Sequence, residues 1–360
     1  MIDLNQMGMT ARVASRKLAR LSASRKNEFL RLLSEDLLSR AEEILVANQN
    51  DVVLGRANGL TDALIDRLLL TESRLRGIAA DLADLIRMPD PVGKILEEKQ
   101  LSSGLHAQRV SVPLGVMAVI YEARPNVTVD ISALGIKSGN AVILRGGKET
   151  LNSNQALVGV IRDCLNAAQI PQDAVQFIND PDREIVSRLV KMEQFVDILI
   201  PRGGNALQDF CKQNATMPVM TGGIGICHLF VDESADLDKA VEVIHNAKVQ
   251  RPSVCNALET LLVHRKIAPV FLPKIAQRLA GDRVRLKCDP YSAEILELDP
   301  EKGIEAAQDG DFDMEWLSLI LGIRVVEDLD GAIEHIQRHS SQHSDGILTG
   351  DAGNARQFVE

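Results

Sequence analysis

Aromatic residues are scarce in this chain. One Trp, two Tyr and eight Phe make up 3% of 360 residues, too few for the stacked-ring platforms that hold single-stranded nucleic acid. Positive charge is also in deficit. Forty Lys and Arg face fifty Asp and Glu, and a net charge of -10 argues against binding a phosphate backbone. No run of 18 or more residues is uniformly apolar, which argues against a membrane-spanning helix. The longest uncharged candidate, Met217 to Val231, carries Thr221, three glycines and His228. No Cys-x-x-Cys pair occurs. The five cysteines, Cys164, Cys211, Cys227, Cys255 and Cys288, are odd in number and far apart, which excludes a secreted disulfide framework and fits a reducing cytoplasm. No apolar signal segment opens the chain, since Asp3 and Asn5 come early and a charged helix follows. The Gly-x-Gly-x-x-Gly dinucleotide fingerprint is missing too, as are internal repeats and low-complexity stretches.

What is present reads as a folded α/β protein. Apolar residues make up 45% and charged residues 25%, and the length suits about two domains. Apolar positions three and four apart predict helices over 11–48 and 61–87, ended by Pro89 and Pro91. Residues 12–26 hold Arg12, Arg16, Lys17, Arg20, Arg25 and Lys26 without an acid, a pattern expected of a solvated helix face. Polar residues around Ser102-Ser103-Gly104 predict a hairpin over 98–112. From 113 onward short apolar strands alternate with helices: strands at 116–121, 141–144, 174–178 and 196–200, then at 229–231, 258–263, 323–326 and 347–349. That alternation implies parallel sheets covered on both faces, with ligands at the carboxyl ends of the strands.

Three short segments carry chemistry. Cys255 lies in Gln250-Arg251-Pro252-Ser253-Val254-Cys255-Asn256, on a loop between a helix ended by Pro252 and an apolar strand. Arg251 beside it favours a thiolate, although a lone cysteine is more often core packing. Tyr121-Glu122-Ala123-Arg124-Pro125-Asn126 follows an apolar strand, where the Asn126 amide can donate to a developing oxyanion or simply form a turn. Arg145-Gly146-Gly147-Lys148 follows the next strand, with glycines that admit a ligand and two cations that suit a phosphate. His335, His339 and His343 are spaced like helical metal ligands, but Ser340 and Ser341 interrupt them and no cysteine or paired acid completes a site, so no metal is expected. Cys227 and His228 are adjacent in a strand and point to opposite faces, which argues against a Cys–His pair.

Together, VPLGVMAVIYEARPNVTVD (112–130), GNAVILRGGKE (139–149), VDILIPRGGNAL (196–207), GICHLFVDESAD (225–236) and QRPSVCNALETLLVH (250–264) resemble the gamma-glutamyl phosphate reductase branch of the aldehyde dehydrogenase superfamily. The resemblance implies an aldehyde-dehydrogenase-like α/β fold. Its Rossmann-type NADP-binding domain spans 1–97 and 113–228, its oligomerisation hairpin 98–112 and its catalytic domain 229–360. It implies Cys255 as the nucleophile and Asn126, with the Cys255 backbone N–H, as the oxyanion hole. Arg145 falls at the adenine-ribose position, and Lys148 replaces the acid that often binds that ribose in NAD users, which favours the 2′-phosphate of NADP(H). Gly203 and Gly204 fall at the pyrophosphate and Glu315 at the nicotinamide ribose. Arg124, Arg202 and Arg251 are candidates for the substrate phosphate or carboxylate.

The implied activity is NADPH-dependent reduction of L-glutamyl 5-phosphate to L-glutamate 5-semialdehyde and phosphate through a Cys255 thioester, in proline biosynthesis. Where hydrolytic relatives carry a Glu that activates water, this chain has Met220-Thr221-Gly222-Gly223, and a reductase has no use for that base. The alternatives are a hydrolytic enzyme for another small aldehyde and an inactive nucleotide-binding fragment. The resemblance further implies a homodimer or tetramer, glutamate 5-kinase as a supplier of substrate, and a C-terminus that ends several tens of residues before the family's, leaving the catalytic domain incomplete.

Overall fold

In a computed structural model, residues 2–222 and 224–360 are described. The chain divides into two compact units, Met1–Gly222 and Gly223–Glu360. A boundary at 228/229 would instead cut through the strand Cys227–Val231. No described helix is long and apolar enough to cross a membrane.

The first unit opens with α1 (Leu4–Leu18), α2 (Ala23–Ser39), α3 (Ala41–Ala57), α4 (Asp62–Leu68) and α5 (Glu72–Arg87). Periodicity alone reads these as two long helices; hydroxyl caps open α2, α4 and α5, whereas α3 starts after Arg40 without a side-chain cap. The side chains of Ser22, Thr61 and Thr71 accept from the backbone N–H groups of Arg25, Leu64 and Arg74, satisfying donors that each new helix start would otherwise leave open. The basic stretch 12–26 is solvated at Arg16, Lys17, Arg20 and Arg25 but not throughout. Lys26 is 1% exposed and bonds both carboxylate oxygens of Asp90, Arg12 forms a two-point pair with Asp197, and Arg25 bonds the Ala168 carbonyl. These three cations tie the first two helices to distant parts of the same unit.

A hairpin follows, β1 (Ile95–Gln100) and β2 (His106–Val110), exposed along both strands. It begins earlier than the polar pattern suggests, because Ile95 pairs with Val110 and Leu96 sits at a register shift, both with exposed side chains. Next come β3 (Val116–Tyr121), α6 (Asn126–Lys137), β4 (Ala141–Arg145), α7 (Leu151–Ala167), β5 (Val175–Phe177), α8 (Arg183–Leu189), β6 (Ile198–Arg202) and α9 (Asn205–Asn214). The four later strands form a parallel sheet in the order β5-β4-β3-β6. Every residue of β3 and the first four of β4 are buried, as expected of a sheet covered on both faces.

The second unit runs β7 (Cys227–Val231), α10 (Leu237–Val249), β8 (Leu258–His264), α11 (Ala268–Ala280), β9 (Arg285–Cys288), α12 (Pro290–Leu296), β10 (Ile304–Ala306), β11 (Ile320–Val326), α13 (Leu329–His339), β12 (Asp345–Leu348) and α14 (Ala352–Val359). Its parallel sheet has the order β10-β9-β11-β8-β7-β12. β8 is buried at all seven positions. β9, α12 and β10 escape a reading by pattern because they are too short to show a period.

Candidate active site

In the first unit the chain runs outward from β3 through β4 to β5, then crosses back to β6 on the other side of β3. Nucleotides bind at such reversals, beyond the carboxyl ends of the strands. Three sequence-distant segments meet this edge: Glu122–Asn126 after β3, Gly146–Lys148 after β4, and Gly203–Gly204 after β6. Arg145 and Arg202 are themselves the last residues of β4 and β6.

Local packing shapes the edge. A Cβ on Gly146 would lie 2.1 Å from the Asn154 side-chain nitrogen, so only glycine passes there. Asn154 belongs to a buried relay that the sequence did not reveal. Tyr121 Oη meets Thr128 Oγ1 at 2.7 Å, and Thr128 Oγ1 donates to Asn154 Oδ1 at 2.8 Å. Asn154 Nδ2 donates to Thr150 Oγ1 at 2.8 Å, and Thr150 Oγ1 to the Gly147 carbonyl at 3.0 Å. The glycine loop thus rests on a satisfied polar floor.

Arg145 is half-buried. Its Nη2 donates to the Pro181 carbonyl at 2.9 Å, while its Nε is buried without a partner. Burial pulls its pKa down, with Glu149 opposing. Lys148 is exposed. The Gly204 N–H, at the start of α9, donates to Glu122 Oε2 at 3.1 Å. An acceptor already occupies this helix N-terminus, a role for Glu122 that sequence reasoning missed.

Asn126 begins α6 and donates through Nδ2 to Asp130 Oδ2 at 2.9 Å. Burial pushes the Asp130 carboxyl up to about 6, against the Asn126 hydrogen bond. Arg202 is exposed, and its charge also favours the Asp130 carboxylate. Arg124 is half-buried in the turn that leads into α6, with its carbonyl accepting from Val127 N–H.

In the second unit Cys255 is exposed, whereas Cys164, Cys211, Cys227 and Cys288 are buried. Burial pushes the Cys227 thiol up to about 11 and holds it neutral, and its Sγ donates to the Cys255 carbonyl at 3.2 Å. Cys227 therefore braces the loop of Cys255 and has no use as a nucleophile. Gly225 braces the same carbonyl from another side, since a Cβ there would lie 1.7 Å from it. The Gly225 N–H donates to Glu315 Oε1 at 2.9 Å. Glu315 is thus a half-buried carboxylate drawn beside the Cys255 loop from far along the chain. Arg251 is exposed at the start of that loop.

The histidines do not form a ligand set. His339 Nδ1 pairs with Asp313 at 2.7 Å, His335 lies buried against its ring, and His343 lies beyond the end of α13. Among the described residues no cluster of three His, Cys, Asp or Glu side chains suits a metal ion. His228 bonds the Asp345 carboxylate and points away from Cys227's contact with Cys255. In the stretch Met220–Gly223, Gly223 lies outside the described residues.

Comparison with known proteins places this geometry. Residues 3–292 match the aldehyde dehydrogenase family. Gamma-glutamyl phosphate reductase of Pasteurella multocida is 51% identical over 357 residues, which cover 99% of this chain and 85% of that protein. The enzyme of the same name from Escherichia fergusonii is 51% identical over 356 residues, with the same coverage. The crystal structure of gamma-glutamyl phosphate reductase from Thermotoga maritima superposes with a TM-score of 0.93 at 42% identity, covering 99% of this chain and 85% of that one. An acetylating aldehyde dehydrogenase from Geobacillus thermoglucosidasius, at 16% identity and a TM-score of 0.70, shares the fold. The chain therefore belongs to the gamma-glutamyl phosphate reductase branch of the aldehyde dehydrogenase family.

Proposed function

We propose that this protein reduces L-glutamyl 5-phosphate to L-glutamate 5-semialdehyde with release of phosphate, using NADPH, in the biosynthesis of proline. The observation that carries the reading is Cys255. It is the exposed thiol among five, on a loop braced by Gly225 and Cys227, in a chain 51% identical to gamma-glutamyl phosphate reductases.

The Cys255 thiolate attacks the acyl carbon, the bond from that carbon to the phosphate oxygen breaks, and a thioester remains. Asn126 and the Cys255 backbone N–H have the role of stabilising the tetrahedral oxyanion, an assignment that rests on the family motif. No acid stands in Met220-Thr221-Gly222-Gly223 to activate water, so the thioester is spared hydrolysis. When bound, NADPH supplies the hydride. The residues at the carboxyl edge of the first sheet suit it: Arg145 Nε is buried without a partner, and Lys148 adds an exposed cation for a 2′-phosphate. Gly203 and Gly204 are assigned the pyrophosphate, for which Glu122 must give up the Gly204 N–H, and Glu315 the nicotinamide ribose. Arg124, Arg202 and Arg251 are the candidates for the substrate's phosphate and carboxylate. The β1–β2 hairpin, with Ile95, Leu96, Leu105 and Val110 exposed at or beside it, is assigned to pairing subunits in a dimer or tetramer. A cytoplasmic location and supply by a glutamate 5-kinase complete the reading.

The deciding assay runs the reaction backward from glutamate semialdehyde. NADPH formation is expected to require inorganic phosphate and to prefer NADP+ over NAD+. Phosphate-independent turnover would identify a hydrolytic aldehyde dehydrogenase, and nucleotide binding without turnover an inactive relative.

A further inference from the structure

Beneath the loop that carries Cys255 lies a buried ion pair. Lys248, in the last turn of α10, is 0% exposed, and so is Glu259, the second residue of β8. The two bracket the loop. Lys248 Nζ donates to Glu259 Oε2 at 2.8 Å and to the Leu258 carbonyl at 2.8 Å, tying the chain before the loop to the chain after it. The other carboxylate oxygen, Glu259 Oε1, accepts from the Leu317 N–H at 3.2 Å. Leu317 has a φ of +49°, a left-handed conformation that is uncommon for a branched side chain and needs an outside hold. Two residues earlier, Glu315 accepts from the Gly225 N–H, and Gly225 abuts the Cys255 carbonyl. The contacts close into a frame: α10, β8, the 315–317 turn, Gly225 and the nucleophile loop.

A pair of this kind is a poor source of stability. Desolvating both charges costs about what their attraction returns, and well-packed apolar residues of similar volume usually serve as well. Its worth lies in direction. A carboxylate fixed by an ammonium on one oxygen and a backbone N–H on the other allows one arrangement, where apolar side chains would allow several.

We propose that Lys248 and Glu259 are positioning residues whose ion pair holds the Cys255 loop and the Glu315 turn in a single mutual arrangement. The proposal rests on Cys255 being the nucleophile. Burial pushes the Glu259 carboxyl up to about 7 and the Lys248 ammonium down, while each opposes the shift of the other, so the charged form of either depends on its partner.

The test is the K248M/E259L double variant in the reverse assay with glutamate semialdehyde, phosphate and NADP+. It is expected to fold with a near-native melting temperature. A loosened nucleophile should lower kcat about 10²-fold. The KM for glutamate semialdehyde should stay within about threefold, because none of the candidate substrate arginines is substituted, whereas the KM for NADP+ should rise with the loosened Glu315 turn. A folded double variant with native kcat would overturn the proposal. Should the double variant fail to fold, E259Q decides. It keeps the volume and an acceptor for the Leu317 N–H but removes the charge, and it is expected to lose about tenfold in kcat. Native kcat in a folded E259Q would overturn the proposal. A Cys255→Ser control separates the two readings. Native activity in that control removes the nucleophile on which the proposal depends, whereas an inactive control beside a fully active double variant removes the positioning role alone.

Discussion

The two units place their candidate residues at opposite ends of their strands. In Met1–Gly222 they follow the carboxyl ends of β3, β4 and β6. In the second unit Cys255 precedes the amino end of β8. The supports differ as well. The first site is shaped by backbone: a glycine loop with no room for a Cβ, a helix start whose Gly204 N–H is held by Glu122, and neutral hydroxyl and amide groups beneath. The second is built around one side chain, with a buried ion pair, a neutral thiol and a close glycine contact fixing its loop. A ligand held along its length by many weak contacts tolerates loss of one of them. A covalent reaction at one atom does not.

That contrast orders the expected effects. Substituting Cys255 by Ser should abolish reduction, by at least about 10³-fold in kcat, while leaving NADP+ affinity near native. Stopped-flow activity and fluorescence titration of the cofactor would check this, and parallel loss of both would blur the division of labour between the units. Gly146→Ala should act less and differently. Its Cβ would meet Asn154, so a loss of about 1–3 kcal/mol in stability is expected together with a weaker cofactor KM. Gly159→Ala, a helical glycine of α7 with nothing within 4 Å, is the control and should be neutral or slightly stabilising, by about 1 kcal/mol. Urea melts of the two variants measure the difference.

The last effect concerns pH and belongs to the second unit. Burial, aided by the neighbouring charge of His228, pushes His335 down to about 2. In the unfolded chain it titrates near its ordinary value of about 6.5. Below that value the unfolded state takes up a proton that the folded state refuses. The contribution is therefore complete above about pH 6.5 and declines as pH falls toward 2, by at most about 1.4 kcal/mol per pH unit. His335→Leu should flatten the fall in melting temperature between about pH 7 and pH 5, as read by circular dichroism. An unchanged slope would assign the acid sensitivity to other groups.

Much of the framework could be read from residues in order. β3 and β4 announce themselves as short apolar runs, because a strand buried on both faces is mostly apolar, and β6 and β8 do so despite Pro201, Glu259 and Thr260 within them. The Arg145–Lys148 and Tyr121–Asn126 segments stand out because glycine, proline and charge interrupt those runs where a parallel sheet exposes its loops. The division of 11–48 into separate helices was hidden, since one hydroxyl cap weighs little in a periodic pattern. Lys26 looked like a surface cation because its partner, Asp90, lies far along the chain. Glu122, Lys248 and Glu259 gave no signal as members of a site for the same reason.

Residue order thus determined the alternation of strand and helix, the place of Cys255 on a loop, and the cations beside the glycine loop, all of which depend on neighbours in sequence. Tertiary structure alone decided which of five thiols faces solvent, which carboxylate sits at the start of α9, and which lysine and glutamate are buried together beneath Cys255. Those outcomes depend on desolvation and on partners brought close by folding, and neither is a property of a residue's neighbours along the chain.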